Sequence, residues 1–151
     1  MKDLFIEKLY EISKKPYQKF FKKNKPWDIS QQEFLQYPED SLGFHLGCFL
    51  LQHNFEIQPK LEDHDVIHVL TNTGISVPEE IGMQYYLFGN GKRSLYLYMV
   101  MLTGTIFYPS KMKYFKDQYR RGKDALIFHY LDYSKMLLVP VKTIQRAFKI
   151  N

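Results

Sequence analysis

Apolar positions recur along most of this chain at intervals of three and four, the spacing that gathers side chains on one face of an α-helix. Leu4, Phe5, Leu9 and Ile12 follow it, which predicts an amphipathic helix running to Pro16. Residues 17–25 continue as a short basic piece, with Lys19, Lys22, Lys23 and Lys25 around Phe20 and Phe21, until Pro26 and Trp27 break it. Ser30 followed by Glu33 matches a capping box and starts another short helix. The turn Pro38-Glu39-Asp40-Ser41 leads into a helix from Leu42 through Gln52. Its Gly43 and Gly47 share a face, so a neighbouring backbone is expected to come close there.

A helix over residues 60–73 follows, with Gly74 as the expected C′ residue. Ser76 and Glu79 form a second capping box, and Pro78 is tolerated in the first turn of a helix that runs to the breaker Gly89-Asn90-Gly91. Residues 94–107 are the most hydrophobic stretch; they read as a buried helix ended by Pro109. Residues 111–123 are amphipathic and basic, 125–133 read as a further helix, and 141–149 form a last one with Ile144, Ala147 and Phe148 inward. No sustained period-two alternation or hairpin signal interrupts this pattern. The expectation is an all-α fold, one domain over residues 1–151, built as a compact bundle of roughly seven helices.

Length agrees, since 151 residues suit one domain with a real core. Composition adds an aromatic excess, 12 Tyr and 12 Phe beside one Trp. It could line an apolar cavity or simply fill the interior. The formal net charge of +5 suits an anionic partner without choosing one. A single cysteine, Cys48, excludes an intramolecular disulfide and a cysteine-rich zinc site. The first eight residues carry too many charges for a signal peptide, and no apolar run reaches the roughly 20 residues of a membrane span. A cytoplasmic protein, peripheral to the inner membrane at most, is expected.

The chemistry concentrates in one place. His64 and His68 are four residues apart and so share a helix face, while Asp65 stands about 100° round from His64. Glu80 returns after the turn at Gly74-Ile75-Ser76 and, if the two helices pack antiparallel, arrives near the level of His68. Two imidazoles and up to two carboxylates suit zinc, ferrous iron or manganese more than calcium or magnesium. Four protein ligands without cysteine leave room for a water or substrate oxygen. His45, His53 and His129 are scattered and read as ordinary core or surface residues.

His64-Asp65-x-x-His68, eleven residues and Glu80 together resemble the HDxxH-x11-E motif of the ubiquinone (coenzyme Q) biosynthesis family described as a scaffold of the coenzyme Q synthome. Residues 38–43 resemble that family's P-x-x-S-L-G segment. Tyr119-Arg120-Arg121-Gly122-Lys123-x-Ala125 resembles its Y-x-x-G-R/K-x-A segment, with Lys123 where Arg is usual, and residues 141–150 resemble its terminal helix. Residues 1–37 show no family pattern.

The resemblance implies a zinc-like ion on His64, Asp65, His68 and Glu80, and an apolar groove for a polyprenyl tail. It further implies attachment to an anionic membrane surface, association with other quinone-biosynthesis proteins, and replacement of a polyprenyl hydroxybenzoate's ring carboxylate by hydroxyl. On that reading Arg120, Arg121 and Lys123 face the substrate headgroup, and Tyr96, Met99 and Phe107 line the groove. A homodimer is a further expectation.

Two other readings stand beside it. One is a non-catalytic polyprenyl-lipid-binding scaffold. The other is a His-Asp-type metal phosphohydrolase, which needs an earlier His and a late Asp, for which His53 and Asp132 are the candidates. Nucleic acid is not expected as a partner, because the basic residues are split between two segments without a reading motif.

Overall fold

Ser41 sets the register of the first long helix. Its hydroxyl accepts the Phe44 N–H at 3.2 Å, satisfying one of the donors a helix start leaves open. The computed structural model describes Leu4, residues 27–54 and residues 62–151. The expected helix and basic piece over residues 4–25 lie outside these apart from Leu4, as does the start of the helix expected from residue 60.

Seven α-helices and no strand occur among the described residues: α1 (Gln31–Phe34), α2 (Leu42–Gln52), α3 (Glu62–Thr71), α4 (Val77–Gly89), α5 (Leu95–Phe107), α6 (Met112–Asp124) and α7 (Val141–Phe148). Short 3-10 turns at Pro109–Lys111 and Tyr133–Lys135 complete the order. α4 is central, packed on α6 and α5, while α2 bridges α1 and α3, and α3 also touches α7. The core runs through Phe34, Leu46, Leu70, Tyr86, Phe128 and Ile144, all essentially inaccessible to solvent. Both expected capping boxes form. Ser30 N–H donates to Glu33 Oε2, and Ser76 N–H to Glu79 Oε2 at 3.0 Å.

Close packing explains Gly43 in α2. A Cβ on Gly43 would meet the Tyr37 ring and, at 3.1 Å, the Leu137 carbonyl, whose oxygen accepts the Gly43 N–H. Ser41 also forms an isolated bridge with Pro140, so the segment before α7 is stitched to the start of α2.

Four expectations are corrected. α3 is closed by Asn72, at φ 50, rather than by Gly74. The Thr73 N–H then reaches back to the His68 carbonyl, the hydrogen bond of a Schellman ending. Residues 125–132 are not helical, because the buried Asn90 side chain claims their backbone. Its Nδ2 donates to the Leu126 carbonyl and its Oδ1 accepts the Phe128 and His129 N–H groups. Ala147 faces solvent, and Gln145 is the inward neighbour of Ile144, donating to the Leu70 carbonyl at 2.9 Å.

The fourth correction concerns α5, which is not buried. Only Leu97 and Gly104 are, and Gly104 lies against Ile81 of α4. Leu95, Tyr98, Met99, Leu102 and Ile106 face solvent. The residues expected to line a groove stand along this open helix, Met99 exposed and Tyr96 and Phe107 half-buried.

Candidate metal centre

α3 and α4 form the helix–turn–helix that the local sequence demands. Asn72 ends the first helix in the left-handed region, which its short polar side chain tolerates. Ser76 and Glu79 then open the second. This turn delivers Glu80, in the first turn of α4, to the face of α3 that carries His64 and His68.

The result is a three-pointed cluster. His68 Nε2 lies 3.1 Å from Glu80 Oε1, His64 Nε2 lies 3.3 Å from Glu80 Oε2, and the two Nε2 atoms are 3.1 Å apart. Donor atoms arranged tetrahedrally at about 2.0–2.1 Å from a zinc ion would be about 3.3 Å from one another. Taking one atom from each residue, the three lie within 4.8 Å of one another, and these residues could hold a small divalent ion. His68 is 2% exposed, whereas the His64 and Glu80 side chains keep 18% and 16% of their surface, so the cluster is reached from the side of His64 and Glu80.

Backbone geometry fixes the His68 tautomer. Its Nδ1–H donates to the Thr73 carbonyl at 3.0 Å, which leaves the Nε2 lone pair for the cluster. The same Schellman turn thus grips His68 twice, once by its carbonyl and once by its ring. From α2, Phe49 stacks on that ring at 5.3 Å between centroids and meets His53 edge-on at 4.8 Å. Neither Thr73 nor Phe49 was predicted. The turn after a His-bearing helix could have pointed to Thr73, but nothing local points to Phe49.

Electrostatics favour a charged cluster. Burial alone would lower the affinity of His68 for a proton, but the hydrogen bond and charge of Glu80, with the Thr73 carbonyl and Asp65, raise it above the ordinary histidine value. Burial would raise the Glu80 carboxyl, yet His64 and His68 outweigh it and hold Glu80 far below the usual carboxylate range. A divalent cation would occupy the same field without the protons.

The other predicted residues are placed as follows. Asp65 contributes charge at His68, but its carboxylate is not one of the three converging ligand atoms. Arg120 is exposed and 3.4 Å from Asp117, and Lys123 is exposed. Only Arg121 turns inward, donating to Gln118 and to the carbonyls of Thr71 and Asn151. Asp132 is exposed, accepts from Ser134, and pairs with Lys135 at 2.8 Å; it takes no part in the cluster. Among the described residues no helix is long and apolar enough to cross a membrane.

No protein-family description matches the chain, and no curated protein matches its sequence. Among solved structures, it is similar to a protein of Nostoc punctiforme named as a candidate ubiquinone biosynthesis protein. The two share 18% identity at a TM-score of 0.68, over 99% of this chain and 81% of that one. That similarity is one of fold, and it spans the whole bundle on which the His64–His68–Glu80 cluster is built.

Proposed function

We propose that this is a metal-dependent protein of lipid-quinone biosynthesis, acting on a polyprenyl hydroxybenzoate-like intermediate. The observation that carries the reading is the convergence of His64, His68 and Glu80, whose ligand atoms, one from each residue, lie within 4.8 Å of one another. Support for the pathway comes from the fold shared with the Nostoc punctiforme protein and from the HDxxH-x11-E resemblance.

His64, His68 and Glu80 would hold the ion, zinc by donor set, with iron or manganese compatible; Asp65 would join them after a change of side-chain rotamer. The ion would supply a Lewis acid for a ring carboxylate or phenolate oxygen. The chain's own part is to position that oxygen, through the Thr73 carbonyl that orients His68 and the Phe49 ring that walls one side. Arg121, the inward-turned cation of the predicted headgroup set, would add charge for an anionic ring substituent. Replacing the carboxylate by hydroxyl releases carbon dioxide and requires an oxidant from outside the chain. The polyprenyl tail would lie beside α5, near Tyr96, Met99 and Phe107, with the protein attached to an anionic membrane surface beside other enzymes of the pathway.

The uncovered apolar face of α5 favours a second reading, a non-catalytic polyprenyl-lipid-binding scaffold. The phosphohydrolase reading loses its late ligand, since Asp132 is outside the cluster.

Elemental analysis of the purified protein and zinc titration test the proposal. One ion per chain is expected, with Glu80→Gln and His64→Ala each weakening zinc at least about tenfold. Unchanged stoichiometry and affinity in the double variant would sink the metal reading. A metal-loaded protein that copurifies with polyprenyl lipid yet never turns over the hydroxybenzoate would favour the scaffold.

A further inference from the structure

We propose that α5 is the surface by which this protein docks on an anionic lipid bilayer, lying in the plane of the interface. At about 100° per residue, Leu95, Tyr98, Met99, Leu102 and Ile106 fall within an arc about 100° wide. Leu97 and Gly104, the buried pair, lie on the opposite side of the helix. Gly104 is pressed against Ile81, so α5 is clamped to α4 along one line and its stripe points directly away from the protein. Exposures of 68%, 56%, 63% and 63% at Leu95, Met99, Leu102 and Ile106 show that no described part of the chain covers it. A stripe of this kind is not ordinary surface scatter.

The stripe is dry as well as apolar. No charged residue occurs between Arg93 and Lys111. The exposed polar side chain beside it, Thr103, turns its hydroxyl back to the Met99 carbonyl at 2.8 Å. Thr105 donates to the Met101 carbonyl and meets the Tyr85 hydroxyl. These hydroxyls can enter a low-dielectric phase with their hydrogen bonds intact.

Charge identifies the occupant. Cations bracket the stripe, Arg93 at its start and Lys111 and Lys113 just beyond its end, and none of the three is in an ion pair among the described residues. A second copy laid on α5 would meet cation with cation at both ends, whether parallel or antiparallel. An anionic lipid surface meets an apolar stripe and two positive ends at once. With 13 residues, α5 is about 20 Å long at about 1.5 Å per residue, suited to lying in the interface rather than crossing it. Tyr98, at the edge of the stripe, is an amphipathic ring of the type that settles at headgroup depth.

The inference rests on the lipid-facing part of the proposed function and not on the metal, which separates the tests. Co-sedimentation would be measured with vesicles of phosphatidylcholine alone and with about one third phosphatidylglycerol added. The intact protein should bind the anionic vesicles and release from them in high salt. Leu102→Asp should lower that binding at least about tenfold, and Lys111→Gln or Lys113→Gln about fivefold each, while zinc content stays unchanged. Thermal unfolding of Leu102→Asp should match that of the parent, because a solvent-facing position seldom moves stability by more than about 0.5 kcal/mol.

Three results would overturn the inference. One is no preference for anionic vesicles, or binding that Leu102→Asp leaves intact. Another is a halved mass in solution for Leu102→Asp, which would make a second copy the occupant. The third is a marked fall in its melting temperature, which would mean that the chain's own residues cover the face.

Discussion

Gly122→Ala adds one methyl group and should destabilise the protein markedly, although alanine is the better helix former. A Cβ at Gly122 would stand 1.9 Å from the Tyr86 carbonyl oxygen, 2.8 Å from its carbonyl carbon and 3.1 Å from the Asn90 nitrogen. Gly89 presents the reciprocal problem across the same crossing, 2.2 Å from the Tyr119 oxygen. The obstacles are main-chain atoms of the facing helix, which no rotamer change can remove. α4 and α6 must separate by roughly 1 Å, in an interior packed as densely as a crystal. Overpacking of this kind costs about 1–3 kcal/mol, and a rigid obstacle belongs at the top of that range. The intrinsic preference of a helix for Ala over Gly returns about 1 kcal/mol.

A net loss of about 2 kcal/mol corresponds to a fall of about 4–8 °C in melting temperature for a chain of this size. Circular dichroism during heating would measure it. Gly82→Ala is the comparison, because there the new methyl meets the far end of the Tyr114 ring at 2.5 Å, a side chain able to swing. It should fall less. Since α4 also carries Glu80, the shifted helix in Gly122→Ala should weaken zinc several-fold. A melting temperature equal to or above the parent's would refute the reasoning, by showing that propensity outweighs close packing at this crossing.

Two further predictions concern pH and the Asn90 hub. In the metal-free protein the raised His68 contributes stability that is complete below its ordinary value of 6.5 and is lost as pH rises through its folded value. The depressed Glu80 contributes stability present above 4.5 and lost only as pH falls toward its low folded value. Metal-free protein should therefore melt higher at pH 6 than at pH 8. Saturating zinc should reverse that order, because His68 must release its proton to bind. The same order in both conditions would disprove His68 as a ligand. Asn90→Ala removes a side chain whose Nδ2 donates to Gly122 and Leu126 and whose Oδ1 accepts from Phe128 and His129, all near 3 Å. Urea unfolding should show a loss of about 3–5 kcal/mol, and a loss below about 1 kcal/mol would mean water replaces the amide.

Elements specified by neighbours in sequence were legible. Ser30 with Glu33 and Ser76 with Glu79 announced their helix starts, since a capping box is a chemical match over three residues. Spacing of four put His64 and His68 on one face, and the following turn brought in Glu80. What failed depended on partners far along the chain. Residues 125–133 have helical composition, yet an Asn more than 30 positions earlier takes their amide hydrogens. Hydropathy in α5 measures a need for an apolar neighbour without saying whether the chain supplies one, so burial was inferred where exposure holds. Thr73 was missed because its contribution is a backbone carbonyl, which any residue possesses.

Asp65 stands outside the converging ligand atoms for a local reason. A residue adjacent to His64 is about 100° round the helix, so its carboxylate must bend back across the helix surface to join the cluster. Glu80 has no such handicap, because the turn aims it at the cluster face directly. The same turn orients the His68 ring through Thr73, so one Schellman ending positions one candidate ligand and the approach of the next. A three-donor site of this kind is preorganised by α3, the turn and the first residues of α4. Asp65 adds its charge at His68 from outside the three converging ligand atoms. On the proposed reading, an ion held by His64, His68 and Glu80 would keep a position for a substrate oxygen, as catalytic zinc sites do and closed structural ones do not.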